Sequence, residues 1–161
     1  MFKYLQFLLK STNQHGVHSP FVYNYITKGL YNNKAKYHTL NKTDQWIFLS
    51  LEYFKPNFTF LSDKSLQERI KETSIATTSD FHAADLIVER YTPENHIKIL
   101  QTIKNMNNSQ LLLIASYSSY PTSFFNELRN NPEIILVVDF YYGCLISKRQ
   151  EQLKQNFFIR F

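Results

Sequence analysis

Phe2, Leu5, Leu8 and Leu9 recur at the three- and four-residue spacing of a helix, which predicts a first amphipathic helix ending near Thr12 or Asn13. The following Asn-Gln-His-Gly-Val-His-Ser-Pro, residues 13–20, reads as a corner. Gly16 is expected to take the left-handed conformation that ends a helix, and Ser19 followed by Pro20 has the chemistry of a cap and a first helical residue. A second helix is therefore predicted over residues 20–31, then a polar linker around Asn32 and Asn33. A third helix, capped by Thr43 or Asp44, should run through Tyr53 and stop at Pro56.

Beyond Pro56 the pattern changes to short apolar runs separated by helical ones. Residues 58–62, 85–89, 110–115 and 134–139 are predicted strands, nearly continuous in apolar character, as expected where both faces of a sheet are covered. Helices are predicted over residues 65–72, 93–107 and 121–129. Strand, helix and strand in alternation indicate right-handed crossovers and a parallel sheet. Residues 143–147 follow the fourth strand too closely for a crossover, so they should return antiparallel, and residues 157–161 should add an edge. The expected fold is thus α/β: a short, mainly parallel Rossmann-like sheet with an antiparallel C-terminal strand, preceded by an N-terminal helical arm.

Charge divides the chain earlier, after residue 42. Six lysines and no acidic residue lie in the first 42 positions, whereas the remainder carries 12 basic residues against 13 acidic ones. We therefore expect two parts, a basic aromatic helical arm over residues 1–42 and an α/β domain over residues 43–161. An arm of this kind suits a protein partner, a second copy of the chain, nucleic acid or an anionic surface. It has no arginine, the residue best shaped for bidentate phosphate contacts. The alternative is that its aromatics anchor the core while its lysines are solvated.

Only three glycines occur, where average usage gives about 11. The 113 residues between Gly29 and Gly143 contain none, which excludes ordinary P-loop and dinucleotide fingerprints there. The lone Cys144 cannot form an intramolecular disulfide, and no run of eighteen apolar residues exists to span a membrane. The single cysteine leads us to expect a reducing, cytoplasmic setting, and the opening segment lacks the small-residue cleavage site of a secretion signal.

His15-Gly-Val-His-Ser-Pro-Phe21 with its tyrosine-rich continuation, residues 135–143, and the closing Phe-Phe-Ile-Arg-Phe together resemble a group of bacterial class I S-adenosylmethionine-dependent methyltransferases. The resemblance covers the two ends of the chain. It implies that the first strand should run into an acidic, glycine-rich turn that holds the methionine and ribose end of the cofactor. Here that turn reads Phe-Leu-Ser-Asp-Lys-Ser, without glycine, and the next strand and helix are reduced to residues 75–79. The acidic positions that metal-assisted members would carry are replaced by Glu89-Arg90-Tyr91 and Ala115-Ser116-Tyr117.

Ligands of open parallel sheets bind beyond the carboxyl ends of the strands. Ser62, Asp63, Glu89 and Ser116 are accordingly the cofactor-binding candidates, with Arg90, Tyr91 and Tyr117 beside them. Glu89 is expected to form an ion pair with Arg90. The expectation is a methyltransferase-like protein with a degenerate S-adenosylmethionine site, no catalytic residue and no bound cofactor, acting as a binding or accessory protein. One alternative is a divergent, active methyltransferase that retains S-adenosylmethionine; another is a nucleic-acid or anionic-surface binding module acting through residues 1–42.

At the helix corner, His15, Gly16, His18, Ser19 and Pro20 form the most distinctive short motif. Imidazoles three apart have the spacing of half a metal site, but no further ligand is recommended by spacing, so no metal is assigned. Cys144, inside an apolar strand, is expected to be inert.

Overall fold

The computed structural model describes residues 2–70, 73–117 and 121–161. The helical spacing at the start forms α1, Phe2–Lys10. After a 3-10 turn at Gln14–Gly16, helix α2, Pro20–Asn24, continues directly into a π-helical segment, Tyr25–Tyr31. Ser19 caps α2 by accepting a hydrogen bond from the Val22 amide at 3.4 Å, with Pro20 at the first helical position as expected. Helix α3 spans Lys42–Phe54; its cap is Asn41, two or three residues earlier than the expected Thr43 or Asp44, because the Asn41 side chain accepts from the Asp44 amide at 3.0 Å.

The α/β part then runs β1 (Thr59–Leu61), α4 (Lys64–Ile70), β2 (Thr77–Thr78), β3 (Leu86–Arg90), α5 (His96–Asn105), β4 (Leu111–Ala115), α6 (Thr122–Asn130), β5 (Leu136–Asp139), β6 (Gly143–Ser147) and β7 (Gln155–Phe158). Lys71 and Glu72, the expected end of α4, lie outside the described residues. The strands form one seven-stranded sheet in the order β2-β1-β3-β4-β6-β5-β7. The first four are mutually parallel, β6 is antiparallel to both β4 and β5, and β7 is parallel to β5. Three residues separate β5 from β6, which forces a reversal, and β6 fills the gap left when α6 carries the chain past β4.

Strand alternation sorts the core into two layers. Leu86, Val88, Leu113, Val138 and Leu145 pack on one face with α3, α4 and residues Val22, Tyr25, Ile26 and Leu30. Ile87, Leu112, Ile114, Val137 and Ile146 pack on the other with α5, α6 and Phe7 of α1. The first 31 residues therefore contribute to both layers, and Thr12 adds a parallel bridge to Ile159 beyond β7. The six lysines of the basic segment remain exposed while its buried aromatic and aliphatic side chains anchor it.

The glycines serve close packing. Gly16 does not adopt the left-handed conformation expected of it, and none of the three glycines has a positive φ. It lies in the 3-10 turn, where an added Cβ would come within 3.0 Å of Thr12 Cβ. At Gly143 a Cβ would meet Ile114 O at 2.6 Å and the Trp46 ring. Trp46 is fully buried against it, and its Nε1 donates to the Tyr25 hydroxyl at 2.9 Å, which in turn bonds Ser50 Oγ at 2.6 Å. Positive φ falls instead at Tyr37, Lys55 and Tyr141.

Candidate functional site

Leu61 ends β1, and the chain passes through Ser62 to Asp63 at the carboxyl edge of the sheet. Asp63 Oδ1 accepts from the Ser65 amide at 2.8 Å, the Ser65 hydroxyl at 2.7 Å and the Leu66 amide at 3.2 Å, which makes it the cap of α4. Its other oxygen faces Arg90, at the end of β3, at 3.4 Å. Burial raises the Asp63 pKa, but the Ser65 hydroxyl, the two amides and Arg90 outweigh it, so the carboxyl titrates below its ordinary range.

The Arg90 guanidinium also lies 5.0 Å from the centre of the Tyr117 ring. Tyr117, two residues beyond β4, donates its hydroxyl to Asp44 Oδ1 at 2.9 Å. Asp44 is only 2% exposed, and its Oδ2 accepts from Arg69 of α4 and from Asn41 Nδ2 at 2.5 Å. Burial, then the bond to Asp44 and that carboxylate's charge, push the Tyr117 phenol well above its ordinary value. One residue earlier on α3, Thr43 Oγ1 donates to Ser116 O at 3.0 Å, while the Ser116 amide donates to Tyr142 O at 2.9 Å. The first turn of α3 is thereby tied to the carboxyl ends of β1, β3 and β4 by side chains of the protein itself.

Of the expected candidates, the structure brings Asp63 and Arg90 together with Tyr117, and sets Ser116 beside α3. Glu89 is separated from them. The expected Glu89–Arg90 pair does not form, because consecutive strand residues leave the sheet on opposite faces. Arg90 turns to Asp63 and Tyr117, whereas Glu89, 1% exposed, accepts from Thr102 of α5 at 3.4 Å and leaves its Oε2 buried without a partner among the described residues. Tyr91 stacks on Phe124 at 4.5 Å. Sequence reasoning missed Asp44, Arg69 and Asn41. The readable signal was the Asn-x-x-Asp spacing, in which cap and third residue bond reciprocally; the reach of Asp44 to Arg69 and Tyr117 had none.

At the helix corner, His15 and His18 are exposed, and the His15 amide donates to Asn13 Oδ1 at 3.1 Å. Among the described residues no three His, Cys, Asp or Glu side chains converge as a metal site. Cys144 is fully buried, and burial raises its thiol pKa well above the ordinary value. Among the described residues no helix is long and apolar enough to cross a membrane.

Compared with known proteins, the chain matches no family model, no curated protein and no solved structure.

Proposed function

We propose that this chain is a methyltransferase-like protein that no longer holds S-adenosylmethionine and acts as a binding or accessory protein. The observation that carries this reading is the occupancy of the carboxyl-edge crevice by interlocked side chains: Asp44 with Arg69 and Tyr117, and Arg90 with Asp63. A cofactor entering there would have to break charge-assisted hydrogen bonds of a carboxylate already removed from water. The turn after β1 supports the same reading, since every position from Leu61 to Ser65 carries a Cβ and Asp63 is committed to capping α4. The methyltransferase ancestry rests on the terminal motifs alone. Calorimetric titration with S-adenosylmethionine and S-adenosylhomocysteine tests the proposal: no heat is expected from either, and micromolar affinity for either one would return the protein to the active alternative.

A second reading is favoured by α1. Phe2, Leu5 and Leu9 share one helical stripe and are 73%, 52% and 88% exposed, while Phe7 on another side is anchored in the core. Lysines at positions 3 and 10 flank this stripe, the pattern of a helix lying on an anionic surface. Sedimentation with phosphatidylglycerol vesicles should then exceed that with phosphatidylcholine vesicles, and should fall in a Leu5→Ser/Leu9→Ser variant; equal recovery in all cases excludes this reading.

A further inference from the structure

At the opposite, amino edge of the sheet lies a cleft of about 630 Å³, within the size range of small-molecule sites. The π-helical segment, the last turns of α3 and the residues leading into β1 and β2 enclose it. Pro56, Ile75 and the Tyr53 ring, all partly exposed, give it an apolar lining.

The polar groups around that lining are unbalanced. Among the described residues Glu52 is the one carboxylate lining it, and it is already neutralised: Lys36 Nζ donates to both of its oxygens at 3.0 and 3.1 Å, and the Tyr37 hydroxyl to one of them at 3.0 Å. Lys28 and Lys55 also line the cleft, and neither ammonium has a carboxylate partner among the described residues. The Tyr53 hydroxyl, in the same wall, has no hydrogen-bond partner among them either. Two cations and a hydroxyl thus surround an apolar lining with no free carboxylate among the described residues to match them. Lys55 holds its place at a cost, since it ends α3 in the left-handed conformation, φ 46° and ψ 55°, where glycine is the usual residue.

We propose that this cleft binds a small organic anion, a phosphate monoester with an apolar body, with Lys28 and Lys55 receiving the phosphate and Pro56, Ile75 and the Tyr53 ring receiving the body. A phosphate monoester near neutral pH carries between one and two negative charges and three acceptor oxygens, which matches two unpaired ammonium groups and a spare phenol. The proposal concerns the other end of the sheet from the crevice and does not depend on whether S-adenosylmethionine binds.

The test is calorimetric titration of the full chain with phenyl phosphate, inorganic phosphate and phenol at one ionic strength. Phenyl phosphate should bind saturably and about tenfold more tightly than inorganic phosphate, and phenol should not bind. A Lys28→Ala/Lys55→Asn variant should weaken phenyl phosphate about tenfold or more, asparagine being chosen because it tolerates the left-handed backbone. A Lys10→Ala/Lys34→Ala variant, which removes the same charge elsewhere, should leave affinity within about twofold. Absence of saturable phenyl phosphate binding overturns the proposal, as does equal weakening in both lysine variants, which would mean diffuse attraction to a basic surface. Equal affinity for phosphate and phenyl phosphate overturns the role given to the apolar lining.

Discussion

The two edges of the sheet solve the same electrostatic problem in opposite ways. At the carboxyl edge the two arginines each meet an anion: Arg69 meets Asp44, and Arg90 meets Asp63, with the Tyr117 hydroxyl completing the set. At the amino edge two lysines and a phenol face a cleft whose one carboxylate among the described residues is already paired. Matching donors and acceptors within the chain closes a surface, because a competing ligand must displace bonds that are already made. An unmatched set leaves that work for a ligand. Topology alone therefore misplaces the opening in this protein: the strands are parallel where a crevice is expected, but the open concavity with unspent charge lies at their other end.

The largest effect that would break this contrast is expected from Asp44→Ala. Removing a buried acceptor shared by Arg69, Tyr117 and Asn41 should cost about 3 kcal/mol, read as a lower urea midpoint at unchanged slope. A loss below about 1 kcal/mol would mean that Asp44 does not hold the edge shut. Tyr117→Phe is a smaller probe of the same network and should cost about 1 kcal/mol at neutral pH.

The Tyr117 substitution also carries a pH signature. The Tyr117 and Tyr25 phenols both titrate above the ordinary tyrosine value, chiefly through burial. A group raised in the folded state contributes stability that is fully present below its unfolded pKa and is lost as pH rises toward the folded one. Stability should therefore fall as pH rises above about 10, and less steeply in Tyr117→Phe than in the parent chain. Identical alkaline curves would place the Tyr117 phenol in a solvated environment.

The smallest expected effect lies at the amino edge and has the opposite sign. Lys55→Gly should stabilise the fold by about 0.5 kcal/mol by relieving the left-handed backbone, while weakening phenyl phosphate binding. Gain in stability with loss of affinity would mark Lys55 as a residue kept for its charge. Stabilisation with unchanged affinity would leave Lys28 as the cleft's essential cation.

How much of this was legible in the chain varies by element. The strands at 85–89 and 110–115 could be read almost to the residue, because runs covered on both faces are apolar throughout and flanked by polar turns. The antiparallel return of β6 was readable from the short connection. The third helix was readable but its cap was not, since Asn41, Thr43 and Asp44 all have capping chemistry and only the backbone geometry at Asn41 distinguishes them. Asp63 and Arg90 could be placed near each other because both follow from strand ends. Glu89 was misread because its neighbour in sequence is not its neighbour in space, and Gly16 because a small residue satisfies both a turn and a tight contact.

Local physics in the sequence determined the order of helices and strands, the direction of the strands, the concentration of positive charge in the first 42 residues and the lack of glycine in the turn after β1. Each of these depends on residues within about one helical turn or one crossover of each other, where periodicity and chain length suffice. Only the tertiary structure decided that Asp44 reaches Tyr117, 73 residues away, and that Lys28 and Lys55 share a cleft in which no free carboxylate among the described residues answers them. Those outcomes depend on which face of the sheet each helix covers, and hence on packing between segments whose separation along the chain carries no trace of their contact.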